Sequence, residues 1–446
     1  MTPADDTLAN TPIAPLALLD PGLAVQADRR LIRANGRSER FLLIGVTAPT
    51  VAPDPSRRRP AVNLGFVLDR SGSMGGQRKL GLARQAVLEA THRLDDPDRF
   101  SVVVYDNEVE VVVSSVLASP ESRRLASSRL DTVDARGSTD LHGGWLAGCE
   151  QVAAGLQPDG VNRVLLLTDG LANVGVTDHD ALVTAAHDLR QRGVTTSTFG
   201  VGTDFDETLL QGIADAGGGH FYFIGDVAQM RDHITSEVGE TLEVVAREVR
   251  LELTLPESVR VDSLSPFRVE RHGGRATVFL GDLVSGQALT LALRVTFDYG
   301  EIGREVGIGV RIVDRDGAFE RARPALDPVT LAWTYADNPA NDAQPRDRDV
   351  DRVVARLFAE RAKQEAVRLN RQGQFEDAGR ALDGVRRRVA AYAGSDTALR
   401  QIVEELRVEA PVFAAAMPEM ARKQQFYQAS LRSRDRMPDG RSRRQS

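Results

Sequence analysis

The segment Leu64-Gly-Phe-Val-Leu-Asp69-Arg-Ser71-Gly-Ser73 places one carboxylate and two hydroxyls at alternate positions where an apolar run stops. Oxygen ligands that converge with little strain suit a hard cation, and Mg²⁺ binds only one or two carboxylates directly while keeping several waters. The spacing therefore predicts a magnesium-type site at a strand's C-terminal edge. The same residues could instead cap a helix start, because Asp and Ser satisfy orphan backbone amides. Two further loops decide between these readings. Gly137-Ser-Thr139-Asp140 lies just before a stretch of helical period, and Leu166-Leu-Thr-Asp169-Gly170 ends another apolar run. In an open α/β sheet such strand ends meet where the strand order reverses, which is where ligands gather.

The elements needed to bring these loops together are legible. From residue 61 to 245 short apolar runs alternate with amphipathic stretches, the pattern of βαβ units and a doubly wound, mostly parallel sheet. Strands are expected at Asn63–Leu68, Phe100–Tyr105, Arg163–Thr168, Thr195–Gly200 and His220–Phe223. Helices are expected near Lys79–Leu94, Leu141–Leu156, Asp180–Arg192, Glu207–Ala216 and Val227–Leu242. Asp106-Asn107, between Val102-Val-Val104 and Val109–Val113, signals a hairpin and one antiparallel edge strand.

After Ala246 the period becomes two. Val249, Leu251, Leu253 and Leu255 alternate with polar residues, as do Leu289–Phe297 and Val306–Ile312, so residues 246–335 read as an antiparallel β-sandwich. Residues 1–60 hold two extended stretches, Leu18–Ala34 and Phe41–Val46, too few for a sheet of their own. They are expected to complete the sandwich, with the α/β domain inserted in it. Pro324–Arg348 has linker composition. Residues 346–410 read as a helical hairpin with a tetratricopeptide-like turn at Gly373, and residues 411–446 as a basic, disordered tail.

Composition bounds the function. The 446 residues are 42% hydrophobic and carry a net charge of −7, too acidic for a chain devoted to nucleic acid, although the arginine-rich tail could contact it. No run approaches the roughly 20 apolar residues that span a bilayer. The acidic N-terminus lacks the basic n-region of a secretory signal, so a cytoplasmic location is expected. Cys149 is the one cysteine, which rules out an internal disulfide or a cysteine-based zinc cluster. Only three lysines occur: Lys79, Lys363 and Lys423. No HExxH, GxSxG or Asp-x-Asp arrangement accompanies the candidate site, and no Gly-Lys-Ser/Thr follows Gly72–Gly76, so the reading is of a non-enzymatic protein without a nucleotide site. Asp140 is either a second acceptor behind the site or a helix cap. His142 and His220 read as rim or structural residues.

The three loops resemble the metal-ion-dependent adhesion site (MIDAS) of von Willebrand factor type A domains, with Asp69, Ser71 and Ser73 in the first loop, Thr139 in the second and Asp169 in the third. The flanking sandwich and helices resemble the multidomain bacterial members of that family. The resemblance implies that these five residues hold Mg²⁺, with Mn²⁺ or Ca²⁺ as alternatives, and leave a coordination position for an Asp or Glu of a partner protein. It also implies that the last α/β helix, near Val227–Leu242, shifts when the site fills. The alternative function is a metal-independent scaffold or assembly factor that recruits partners through its helical C-terminal region. Coupling to an ATP-driven complex ranks below both.

Overall fold

The computed structural model describes residues 22–51, 59–324 and 328–444. The chain enters as β1 (Gly22–Ala27), β2 (Leu31–Arg33) and β3 (Ser38–Thr47). Residues 18–21 of the expected N-terminal strand lie outside the described residues. In β3, Leu42, Ile44 and Val46 point to one side and Leu43 to the other, and all are buried, so the strand must be covered on both faces.

The α/β domain follows. Its strands are β4 (Val62–Asp69), β5 (Arg99–Tyr105), β6 (Val109–Leu117), β7 (Val161–Thr168), β8 (Thr195–Val201) and β9 (Gly218–Ile224). Its helices are α1 (Lys79–His92), α2 (Pro120–Leu130), α3 (Leu141–Ala154), α4 (His179–Gln191), α5 (Glu207–Gly217) and α6 (Met230–Leu242). The sheet order is β6-β5-β4-β7-β8-β9, parallel except for β6, which returns antiparallel on β5 as the Asp106-Asn107 turn predicts. Every residue of β4 and β7 is buried, as helices on both faces require. The order reverses between β4 and β7, which opens the crevice at their C-terminal ends. Helix α3 reaches the sheet closely because a Cβ on Gly144 would fall 2.3 Å from the Tyr105 ring, and one on Gly148 would fall 2.1 Å from Val67. Helix α2 is not among the expected elements. Its start is nonetheless written in Ser119-Pro120: the Ser119 hydroxyl accepts from Ser122 N, and Pro occupies the first turn.

The chain then builds β10 (Val244–Thr254), β11 (Val259–Ser263), β12 (Val269–His272), β13 (Arg275–Val284), β14 (Ala288–Phe297), β15 (Glu305–Val313), a short α7 (Ala318–Ala322), β16 (Val329–Ala336) and α8 (Asn338–Ala343). Two sheets result, β1-β3-β14-β11 and β12-β13-β10-β15-β16-β2. They close over a core that includes Ile44, Leu251, Leu291, Ile308, Phe297 and Trp333, the last two with ring centroids 5.1 Å apart. The N-terminal strands thus complete the sandwich and the α/β domain is inserted in it. The stretch Pro324–Arg348 is not a linker, because it contains β16. Leu331, Trp333 and Tyr335 alternate into the core there, a period hidden in sequence by the flanking Pro and Asp-Asn residues.

Four helices end the chain: α9 (Arg348–Arg371), α10 (Phe375–Ala393), α11 (Thr397–Phe413) and α12 (Glu419–Ser433). A lone hairpin would leave apolar faces open. Here α9 buries Ala355, Ala359 and Ala366 with residues of α10 and α11, and Val350, Val353 and Leu357 with Leu43 and Ala292 of the sandwich. The expectation of a disordered tail over 411–446 is corrected as far as Arg444. Helix α12 and the segment after it are ordered because acids elsewhere in the chain take their cations: Lys423 pairs with Glu207, Arg434 with Asp215, and Arg436 with Glu240. Local composition cannot reveal partners that distant. Residues 445–446 lie outside the described residues.

Candidate functional site

Asp69 is the last residue of β4, where the strand ladder ends and its carboxylate is free to face the crevice. Ser71 N donates to its Oδ1 at 2.7 Å and Thr168 Oγ1 to its Oδ2 at 2.6 Å. Burial outweighs these hydrogen bonds and pushes the Asp69 carboxyl up to about 6. From Gly72 to Arg78 the chain turns as 3₁₀ helix with a kink, in which Gln77 and Arg78 take left-handed φ values of 51° and 61°. Such conformations are uncommon for side chains of this size. The kink delivers Lys79, the first residue of α1, to the crevice.

The first and third loops meet through a chain of oxygens. Ser71 Oγ lies 3.0 Å from Ser73 Oγ, and Ser73 Oγ donates to Asp169 Oδ1 at 2.6 Å. Lys79 Nζ donates to Asp169 Oδ2, also at 2.6 Å. The second loop is laced to both others by backbone. Gly72 N donates to Gly137 O at 3.1 Å and Arg136 N to Arg70 O at 2.8 Å. Asn173 N and Val174 N donate to Thr139 O. Thr139 N in turn donates to Asn173 Oδ1 at 2.9 Å. Thr139 is buried, and a Cβ on Gly170 would stand 3.4 Å from Thr139 Oγ1 and 3.8 Å from Ser73 Oγ, so both hydroxyls flank the residue after Asp169.

All five residues singled out in sequence therefore converge, as two carboxylates and three hydroxyls. This donor set is entirely hard oxygen and fits Mg²⁺ better than a softer metal. The fit is also electrostatic. Asp169 has an ammonium partner, whereas Asp69 has no cation against it among the described residues, and a bound cation would relieve its desolvated charge.

Other candidates fall outside this cluster. Asp140 caps α3, accepting from Gly143 N at 2.9 Å. His142 lies in the first turn of that helix. His220 faces Glu237, at 3.0 Å from its Oε2. Ligand atoms of His220, Glu237 and Glu240 lie within 4.8 Å of one another. Their carboxylates are already committed, however: Glu237 accepts from Arg163, Ser197 and Tyr222, and Glu240 accepts from Arg436 and Ser442 N. This is an ion-pair network joining α6 to its surroundings. Cys149 is buried in α3, and burial pushes its thiol up to about 12, so it packs rather than reacts.

Sequence reasoning missed Lys79, Thr168 and Asn173. Thr168, adjacent to Asp169 at a strand end, and the rarity of lysine were the available signals.

The model of the von Willebrand factor type A domain family matches residues 63–236. The chain is 30% identical over 250 residues to the uncharacterized protein YfbK of Escherichia coli (strain K12), covering 54% of this chain and 43% of that one. It is thus similar to less than half of that relative's length. It is 29% identical over 331 residues to the uncharacterized protein sll0103 of Synechocystis, covering 71% of this chain and 76% of that protein. Its fold is similar to that of a solved von Willebrand factor type A structure from Catenulispora acidiphila, with a TM-score of 0.68 at 19% identity over 94% of this chain and 98% of the other. No helix among the described residues is long and apolar enough to cross a membrane.

Proposed function

We propose, from the premise that residues 63–236 are a von Willebrand factor type A domain, that Asp69, Ser71, Ser73, Thr139 and Asp169 form a MIDAS that binds a partner protein through Mg²⁺. The observation that carries this reading is the convergence of three separate loops on one set of hard oxygens, centred on a buried carboxylate with no cation against it among the described residues. Thr168 and Ser71 N hold the Asp69 carboxylate in place, and the backbone links among the loops fix the three hydroxyls, so the chain orients its ligands before any partner arrives. When bound, Mg²⁺ supplies an open coordination position for a partner's Asp or Glu, a charge-assisted contact whose specificity comes from the surrounding loops. The role is recognition without catalysis. The sandwich and helical region fit the multidomain bacterial form of the family. A cytoplasmic location accords with the single, buried Cys149.

The test is Mg²⁺ titration by calorimetry together with capture of partners from native lysate, using wild type and Asp69→Ala, with and without EDTA. Saturable Mg²⁺ binding, with capture lost in EDTA and in the folded variant, supports the reading. Capture that survives both treatments favours the metal-independent scaffold.

A further inference from the structure

At the sheet edge opposite the metal site, where β7, β8 and β9 begin, a cavity of about 190 Å³ separates the α/β domain from the sandwich. Arg190, from the last turn of α4, enters it from one side, while Arg247, Arg250 and Arg315 enter from the other. The wall on the sandwich side is a bulge in β10: the register against β13 shifts between Ala246 and Val249, with Glu248 held at a left-handed φ of 50° near Gly281 at 89°. A non-glycine residue in that conformation is strained, and strain of this kind concentrates at binding sites.

The charges in this cavity do not balance. Its two lining carboxylates are taken, Asp282 by Arg163 at 3.1 Å and by Glu248 N at 3.0 Å, and Glu248 by Arg315 at 3.1 Å. Arg247 is matched by Asp316, and Arg250 must share Glu252 with Arg311. The Arg190 side chain has no hydrogen bond or ion pair among the described residues. Its guanidinium only faces the Phe279 ring, 6.0 Å from the centroid. Gly218 admits it to that position, since a Cβ there would lie 2.8 Å from Arg190 Nε. Burial with no carboxylate bonded to it lowers the Arg190 pKa. A desolvated guanidinium with free donors is costly unless an acceptor meets it.

We propose that this cavity binds a small free oxyanion, a phosphate or a short dicarboxylate, held by Arg190 from the α/β domain and Arg250 from the sandwich. The volume corresponds to about six waters at roughly 30 Å³ each, below the ~300 Å³ at which pockets for larger ligands begin, so the occupant is a small ion. Bound there, it ties α4 to β10 across the domain boundary and sets how firmly the two domains are held together.

The experiment titrates the full chain with inorganic phosphate and with malonate at constant ionic strength, followed by calorimetry and thermal shift. Wild type should respond saturably to at least one of them, and Arg190→Gln should weaken that response at least tenfold. Arg407→Gln, an exposed arginine on α11, should leave it unchanged. Hydrogen exchange of wild type gives a readout independent of any variant: saturating anion should protect residues 190–193 and 247–250. No saturable response in wild type, an equal response in Arg190→Gln, or no protection at those two segments would each overturn the proposal.

Discussion

Lys79 Nζ lies 2.6 Å from Asp169 Oδ2, so the protein's own ammonium neutralises one of the two carboxylates that converge on the proposed metal site. Asp69 is left without one among the described residues. A divalent ion approaching this cluster meets a positive charge already bonded to one of its ligands. Two unit charges about 4 Å apart interact by about 4 kcal/mol at an effective dielectric constant near 20, enough to matter for affinity. Lys79→Met should therefore strengthen Mg²⁺ or Mn²⁺ binding by about one order of magnitude, measured by calorimetry or Mn²⁺ electron paramagnetic resonance. Unchanged or weaker binding would show that Lys79 helps to build the site.

Asp69→Asn separates stability from function. The amide removes a carboxylate that burial disfavours while keeping an oxygen for Ser71 N. In EDTA the variant should melt at or above the wild-type temperature, and addition of Mg²⁺ should no longer raise its melting temperature. A large loss of stability in EDTA would mean that the ionised carboxylate contributes to the fold itself.

The C-terminal segment gives a pH dependence. Burial outweighs the Arg443 guanidinium and pushes the Asp435 carboxyl up to about 6 from an ordinary 3.8, so the native state binds this proton more tightly than the unfolded chain does. Its stabilisation is complete below about pH 4 and is lost as pH rises through 6, a loss of about 3 kcal/mol. In urea unfolding across pH 4 to 7, the stability of wild type minus that of Asp435→Asn should fall as pH rises, because the other titrating groups cancel in this difference.

Arg436 is buried, with Nη2 at 2.7 Å from Glu240 Oε2 and 3.3 Å from the Tyr222 hydroxyl. Arg436→Ala strands a buried carboxylate and should cost about 3–5 kcal/mol. Hydrogen exchange should rise in α6, which carries Glu240 and Glu237. A loss below about 1 kcal/mol by urea unfolding would mean that water replaces the guanidinium freely.

The parts of the fold that follow period and local chemistry were legible in the sequence. The buried strands around Asp69 and Asp169, the Asp106-Asn107 hairpin and the switch to alternation after Ala246 each depend on residues within a few positions of one another. The placement of Asp69 and Asp169 was legible too, since both stand at the C-terminal ends of apolar strands, whereas Thr139 lies in the loop between α2 and α3 with no strand to announce it. What escaped depends on distance. Arg436 finds Glu240 across 196 residues, and without that partner a run of arginines reads as a solvated tail. Lys79 escaped because two left-handed residues, Gln77 and Arg78, aim it, and neither is a glycine that would have signalled the turn.

The pairing of β3 with β14 joins Thr47 to Ala288 and Ser38 to Phe297, roughly 250 residues apart. At a synthesis rate of about 5–20 residues per second, β3 waits on the order of 10–50 s for its neighbour to leave the ribosome. During that interval the side of β3 away from β1, with Leu42, Leu43, Ile44 and Val46, stays an unpaired apolar edge beside a domain whose own strands are already complete. Strand β3 is therefore an aggregation hazard of the nascent chain until β14 is made, and a chaperone acting in that interval would meet this protein there.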